Sequence, residues 1–504
     1  MKGWIKKAGI LTGLIGLNSA LEYTPRTLRN SPLLEPSLST IGTGAQFEQR
    51  WFENQIDHFN DSDSRTFNQR YWINDRHYKG DDNPPIFLLE AGETDALVRM
   101  DALDRGIVNI LSQATGGIAV VLEHRFYGDS LPFSNFTTDN LKYLSYNQTL
   151  QDSISFIENF SSVSPYSKTQ QSKWITYGGS YAGARAAHLR KLFPDIVYGG
   201  IGSSAVTHAE DDYWRYFDMI RLHQDIACVS SINEAVRLVD LILDSPFSYP
   251  KDALKTMFGL QGLRDEDFAD LITYPLAFIQ SLNWDDAISS HKFQSFCQTL
   301  TEDSIKKRLL GYTVGSAPYA LLRYGQWIQK NLSNKCPADL TPVECFGLPE
   351  AVSTEPSTMR AWGYQVCTQW GYFQGSPPAT ESDAYRHRVV SNRLNLPHTS
   401  SYCERDYGIV ERPHIDDINK LGDFDTRFPR LAFIDGSADP WREATPHSSR
   451  ARMRKDTLSQ PSVLIKGGTH HWDENGWEDY TSEPKLIRRV HEEAIAFVTS
   501  WLEE

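Results

Sequence analysis

Short, unbroken apolar runs recur along this chain, and stretches with helical spacing of apolar positions stand between them. Pro85–Glu90 and Gly117–Glu123 are apolar at nearly every position, the pattern of central parallel strands buried on both faces. Lys173–Tyr177 and Val197–Ser204 read as two more strands, and Leu431–Ile434 and Val463–Lys466 as a late pair. Thr149–Phe160 and Ala182–Phe193 read as helices, so the first part of the chain has a βαβ layout. From about Val206 to Leu421 helical periodicity dominates, as in Ile232–Leu243 and Ile305–Leu310. The sheet pattern resumes at Leu431, and a helix from about Glu483 to Leu502 closes the chain with Pro484 in its first turn. No internal repeat is present. These elements predict an α/β protein, divided into a first core part over 46–205, a helical insertion over 206–421 and a second core part over 422–504.

One turn stands out from this framework. Gly178-Gly179-Ser180-Tyr181-Ala182-Gly183 lies between a strand and a helix, and small residues surround its serine. That is the arrangement of a nucleophile elbow, in which a turn too tight for bulky neighbours lifts the hydroxyl above the sheet. The strict motif has Gly two residues after the serine; Ala182 takes that place. An ordinary Gly-rich β–α turn is the plain alternative. Ser180 needs a base, and the base needs an acid to fix its tautomer, in the chain order Ser, Asp or Glu, His. The two late strands supply both. The first runs into Asp435-Gly436-Ser437-Ala438-Asp439-Pro440-Trp441, the second into Gly467-Gly468-Thr469-His470-His471. Asp439 is preferred over Asp435 because it lies further along the loop and Pro440 stiffens the chain behind it. Residue pattern alone leaves His470 and His471 open; the spare one is expected to be a hydrogen-bonded structural residue. The second oxyanion donor in such a fold comes from the loop after an early strand. Here that is Glu90-Ala91-Gly92-Glu93-Thr94-Asp95, so the expected donors are the N–H groups of Tyr181 and of Gly92 or Glu93.

Together these motifs resemble the family of prolyl carboxypeptidase, dipeptidyl peptidase II and thymus-specific serine protease, with its secreted fungal prolyl endoprotease branch. Gly178-Gly179-Ser180-Tyr181, Asp439-Pro440-Trp441 and Gly468-Thr469-His470-His471 carry the resemblance. So do Gln55–Phe59, Phe67–Tyr71, Glu123–Ser130 and Trp362–Thr368. The resemblance implies an α/β-hydrolase core with an inserted helical, disulfide-bonded cap. It implies Ser180 as nucleophile, Asp439 as acid and His470 as base, and cleavage on the carboxyl side of proline. It places Trp441 against the proline ring, with Tyr364, Trp370, Tyr372 and Phe373 as candidates to complete an apolar enclosure. Three positions depart from the family pattern: Ala182; Ala184, where relatives place a larger residue beside the proline pocket; and Gln369, where many have Glu. Glu123, His124 and Arg125 are read as a buried ion-pair network below the site.

Composition narrows the setting. With 504 residues and 40% hydrophobic content, the chain can bury a large core. A formal net charge of −14 argues against a nucleic-acid partner. Lys2, Lys6 and Lys7, the apolar stretch Ala8 to Leu17 and Ser19-Ala20 read as a signal peptide over 1–20, although Asn18 fits the cleavage rule imperfectly. Residues 21–45, rich in Pro, Ser and Thr, read as a linker or pro-segment. Sequons at Asn60, Asn135, Asn147, Asn159 and Asn331 agree with a secreted or vacuolar/lysosomal destination. All six cysteines fall inside the insertion, and pairing of neighbours is expected: Cys228–Cys297, Cys336–Cys345 and Cys367–Cys403. No Cys or His spacing suggests a metal, and no cofactor or membrane span is expected. The expected partners are proline-containing peptides, with a second copy of the chain as a candidate. The rival readings are an esterase or lipase sharing the elbow, and a catalytically silent hydrolase fold used for binding. No long apolar lid favours the first, and a complete Ser, Asp, His set argues against the second.

Overall fold

A computed structural model of the protein describes residues 47–309, 317–347 and 352–504. The expected signal peptide and the whole of the linker lie outside the described residues, as does the last residue of the Ile305–Leu310 helix.

Eight strands form one sheet: β1 (Arg50–Gln55), β2 (Thr66–Asn74), β3 (Ile86–Glu90), β4 (Ile118–Leu122), β5 (Trp174–Gly179), β6 (Val197–Ser203), β9 (Leu431–Gly436) and β10 (Ser462–Ile465). Between β6 and β9 come β7 (Glu210–Asp212) and β8 (Gly371–Phe373), a separate parallel pair. The main order is β1-β2-β4-β3-β5-β6-β9-β10. β1 and β2 are antiparallel to their neighbours, and β4 through β10 form a parallel block. The six strands read from sequence are the six of that block. The half-exposed antiparallel pair β1–β2 carries a weaker apolar signal and escapes such a reading.

Continuous apolar runs suit the parallel strands because helices cover both faces. On β3 the side chains alternate: Ile86 and Leu88 join one core, Phe87 and Leu89 the other. Helices α1 (Ile107–Thr115) and the C-terminal Lys485–Glu503 seal the second face. Helices α2 (Tyr146–Val163) and α3 (Ser180–Leu192) seal the first, where the core runs on without a break into the inserted helices. Pro484 proves to be the N-cap of the last helix rather than part of its first turn, at φ −50° and ψ 135°. The core is an α/β-hydrolase sheet with a largely helical insertion.

The chain moves from β3 to β4 on one side and then returns to place β5 on the other side of β3. A reversal of this kind opens a crevice beyond the carboxyl ends of the two central strands, where open α/β sheets bind ligands. Gly92 follows β3 and Ser180 follows β5, so both stand at that crevice.

The six cysteines form three disulfides within the insertion: Cys228–Cys297, Cys336–Cys345 and Cys367–Cys403. Among the described residues no helix is long and apolar enough to cross a membrane. By loop-closure entropy, opening the longest bridge should cost about 4.4 kcal/mol and the shortest about 2.7. Thermal unfolding of the Cys228→Ser/Cys297→Ser and Cys336→Ser/Cys345→Ser variants is therefore expected to show the larger drop in Tm for the first. An equal or reversed order would defeat the entropic account.

Candidate active site

Ser180 occupies the left-handed region at φ +58°, an uncommon conformation for a residue with a side chain. Its neighbours make that turn feasible. A Cβ on Gly178 would stand 2.2 Å from the Ala182 carbonyl oxygen, so only glycine fits there. Ala182, the departure from the strict motif, has a compensating partner: its methyl lies 3.1 Å from where a Cβ on Gly92 would be. Gly92 has φ +75° and brings the backbone of the loop after β3 against the start of α3. Gly92 and Ala182 thus approach each other from two loops. Glu93 is also buried, close enough to the Tyr127 and Tyr181 hydroxyls to disfavour their ionisation.

The loops after β9 and β10 meet at the same edge. His470 Nδ1 lies 3.0 and 2.9 Å from the two carboxylate oxygens of Asp439, which also accepts the Trp441 N–H at 2.9 Å. With the Nδ1 proton directed at Asp439, Nε2 of the neutral ring is the proton acceptor. Asp435 is committed elsewhere: Thr445 Oγ1 donates to it at 3.0 Å, and it contacts His447 Nδ1. The two histidines also part company. His471, at φ +33°, donates its N–H to Ser204 Oγ at 2.9 Å. Its Nδ1 stands 3.0 Å from Glu474 Oε2, an ion-pair distance without hydrogen-bond alignment. The His471 ring lies 3.0 Å from a Cβ built on Gly179, which seats the histidine loop directly on the elbow.

A serine elbow and a buried Asp–His pair at one edge of this sheet are the parts of a hydrolase. The sequence profile described as Serine carboxypeptidase S28 matches residues 54–492, most of the chain. The chain belongs to this peptidase family. Relatives along nearly its whole length carry related names. A probable extracellular serine carboxypeptidase of Arthroderma benhamiae is 37% identical over 91% of this chain and 68% of its own length. Human thymus-specific serine protease is 29% identical over 86% of this chain and 83% of its own. Mouse lysosomal Pro-X carboxypeptidase is 23% identical over 98% of both. The protein is accordingly a serine-type peptidase of the S28 family.

Around this peptidase site the insertion supplies an aromatic shell. Trp441 is buried, with Tyr213 stacked on it at 5.1 Å and Tyr216 and Tyr372 edge-on at 5.4 and 5.2 Å. Its indole N–H donates to Gln280 Oε1 at 3.0 Å, and the His470 ring is 6.5 Å away. Tyr372 continues to Trp370 at 6.0 Å, and Trp370 packs edge-on against Tyr181 at 5.3 Å. The shell therefore runs from beside the histidine to the residue after the serine. Tyr364 and Phe373, expected in the same enclosure, pack instead on Tyr407 and Tyr402. Ala184, one helical turn beyond Ser180, is fully buried in the main core. Gln369 accepts the N–H of Tyr146 at 2.9 Å and so satisfies a backbone donor at the start of α2.

Glu123, His124 and Arg125 divide their work. Glu123 holds Arg70 through two bonds of 2.7 and 2.6 Å and accepts the Ala96 N–H at 3.0 Å. Arg70 also reaches Asp95 at 2.9 Å, so this pair pins the loop that follows Gly92. Arg125 chelates Asp152 with two bonds of 2.6 Å, and His58 joins it at 2.8 Å. His124 is no ion-pair member; its Nε2 meets the Tyr181 hydroxyl at 3.0 Å. Gln365, Tyr127, Tyr213, Gln280, Arg99 and Glu474 take part around the site without having been singled out from sequence. Gln365 and Tyr127 lay inside two of the family-like stretches, the signal available for them.

Two adjacent carboxyls on the histidine loop are driven apart. Burial alone would raise Glu474, but Arg99, whose Nη1 reaches both carboxylate oxygens at 2.8 and 2.9 Å, and then His471, hold it down to about 2. Asp473 is pushed up to about 6 by burial, only partly offset by hydrogen bonds from Ser203 and from Tyr177 at 3.0 Å. A raised carboxyl means that the folded state binds the proton more tightly than the unfolded chain. Stability linked to Asp473 is thus gained as pH falls through 6, whereas that linked to Glu474 is present above its ordinary range and lost toward 2. Asp473→Asn is expected to raise Tm at pH 7, by up to about 3 kcal/mol of stability for a shift of this size. The gain should shrink as pH approaches 4. A gain independent of pH would show that Asp473 is not the titrating group.

Proposed function

We propose that the chain hydrolyses peptide bonds on the carboxyl side of proline through an acyl-enzyme. The observation that carries this reading is the division of labour between the two candidate acids. Asp439 gives both oxygens to His470, while Asp435 serves His447 and Thr445. Ser180 Oγ attacks the carbonyl carbon as its proton passes to His470 Nε2. The resulting oxyanion is met by the N–H groups of Tyr181 and of Gly92 or Glu93. Collapse expels the amine, which takes the proton from the imidazolium. Water then repeats the sequence on the acyl ester, and Ser180 regains its hydrogen. Asp439 holds the ring in the productive tautomer throughout. Loss of one oxyanion donor in such sites costs about 3 kcal/mol.

Specificity for proline follows, in this reading, from the aromatic shell. A pyrrolidine ring is compact and apolar and gains most against flat, dry walls. Trp441 offers such a wall beside His470, fixed by Tyr213 and Gln280. The mouse relative's name, Pro-X carboxypeptidase, agrees with that chemistry. We also propose that the chain enters the secretory pathway and acts outside the cell or in an acidic vacuolar or lysosomal compartment. The asparagines of four sequons, Asn60, Asn135, Asn147 and Asn159, are exposed and open to glycosylation. The Arthroderma relative is described as extracellular.

Replacing Ser180 with Ala should lower kcat by at least about 10⁴-fold while leaving thermal unfolding unchanged. Wild-type-like hydrolysis by that variant would remove the nucleophile assignment. Mass spectrometry of products from matched peptides carrying Pro or Ala before the scissile bond should show cleavage after proline. Trp441→Ala should narrow the preference by about tenfold or more, as expected for loss of a pocket wall. Equal cleavage of the two peptides by the wild-type protein would refute proline selectivity and leave the serine mechanism standing.

A further inference from the structure

We propose that Gln365 is a positioning residue for the hydrolytic reaction, tying the inserted helices to the residue whose N–H faces the oxyanion. The inference rests on the reading of Ser180 as nucleophile and of the Tyr181 N–H as an oxyanion donor. Gln365 ends helix α4 (Thr358–Gln365), immediately before a π-helical turn over Val366–Trp370, and is fully buried. Its Nε2 donates to the Tyr181 hydroxyl at 2.9 Å, and its Oε1 accepts from the Tyr127 hydroxyl at 2.6 Å. The Tyr181 hydroxyl also lies 3.0 Å from His124 Nε2, and His124 Nδ1 lies 2.7 Å from the Arg125 carbonyl oxygen.

Hydrogen-bond chemistry gives this chain one direction. The Arg125 carbonyl can only accept, so Nδ1 of His124 carries the proton and Nε2 of the neutral ring must accept. Tyr181 therefore donates its single hydroxyl hydrogen to His124, and its oxygen can accept from an amide. That turns the NH₂ of Gln365 toward Tyr181 and leaves its oxygen for Tyr127. Burial, and then the charge of Arg185, keep His124 well below its ordinary value and hence neutral. Burial also pushes the Tyr181 hydroxyl up to about 12, so it stays a donor. A carboxylate at 365 would offer Tyr181 no hydrogen; an amide suits both neighbours. Every member is buried, so no link can reverse without leaving a donor unpaired.

The consequence reaches the elbow because the Tyr181 ring has little freedom of its own. Trp370, Trp362 and Tyr146 pack around it at 5.3, 5.6 and 6.0 Å. Of these, Trp370 and Trp362 come from the insertion, as does Gln365. The orientation of the residue after the nucleophile is thus set in part by a segment distant in sequence. The core provides the strand and the turn, and the insertion fixes where the following side chain is anchored. Displacement of a reacting group by about 1 Å costs on the order of 10²-fold in rate.

The test compares Gln365→Leu, Tyr181→Phe and the double variant in the full chain, with a prolyl peptide substrate and a peptidyl aldehyde ending in prolinal. The aldehyde forms a hemiacetal with the serine, and its oxygen then stands where the oxyanion would. Each single variant is expected to lose about 10- to 100-fold in kcat with KM within about twofold, and to bind the aldehyde more weakly by a similar factor. The double variant should be no worse than the worse single one, since one chain is broken once or twice. Wild-type kcat, a loss confined to KM, unchanged aldehyde affinity, or multiplied losses in the double variant would each overturn the proposal. If Gln365→Leu does not fold, Tyr181→Phe alone must show the same split, or the proposal fails. Ser180→Ala, measured alongside, separates the two readings: retained activity there defeats the nucleophile assignment and is independent of what Gln365 does.

Discussion

Strands that run parallel end at the same edge of a sheet, and the site of this peptidase depends on that constraint. The block β4-β3-β5-β6-β9-β10 delivers four loops to one rim. They carry Gly92 after β3, Ser180 after β5, Asp439 after β9 and His470 after β10. The chain between β6 and β9 is long, yet its length does not matter to the meeting, because backbone ladders fix each strand against the next. Gly202 pairs with Phe433 and Leu464 with Asp435, so the acid loop is registered to the elbow through β6 and to the histidine loop through β10. Both faces of β4, β3, β5, β6 and β9 are largely buried, and that makes the rim stiff.

Local strain is stored at the point where the rim is used. A left-handed serine costs on the order of 1–3 kcal/mol, and such a conformation persists only where its surroundings over-determine it. Here a buried strand enters the turn and a buried helix leaves it, while Gly178 clears space for the Ala182 carbonyl. Smallness is distributed across two loops. Ala182 keeps a methyl where the strict motif has hydrogen, and Gly92 opposite gives up its own.

Residues of one chemical kind, side by side in sequence, are separated by their surroundings. His470 faces a carboxylate in the interior, whereas His471 turns through a left-handed residue toward Glu474. Asp473 and Glu474 are neighbours, yet burial raises one to about 6 against only partial compensation from Ser203, Tyr177 and His491, while the other meets Arg99 and falls to about 2. Between roughly pH 4 and 6 both shifts favour the folded state, a bias toward acid conditions built into the histidine loop.

The six parallel strands, the flanking helices and the elbow were legible in the sequence because each is a local signal: an apolar run, a helical period, a cluster of small residues. Most of the residues that meet at the rim were legible too, since a serine, an acid and a histidine in a fixed order at strand ends admit few arrangements. Sequence could separate Asp439 from Asp435 only through its place further along the loop and through Pro440, and it could not divide the histidines by pattern. Contacts do both, because hydrogen-bond partners are a property of position in space. The aromatic shell shows the same division. Tyr364 and Phe373 were as plausible as Trp370 and Tyr372 from composition, and only their contacts in space, with Tyr407 and Tyr402, set them apart. Gln365 was marked only by its place in a family-like stretch, with nothing to show its role. Its role exists only where an amide from one segment meets a tyrosine and a histidine from another, and no periodicity along a chain records such a meeting.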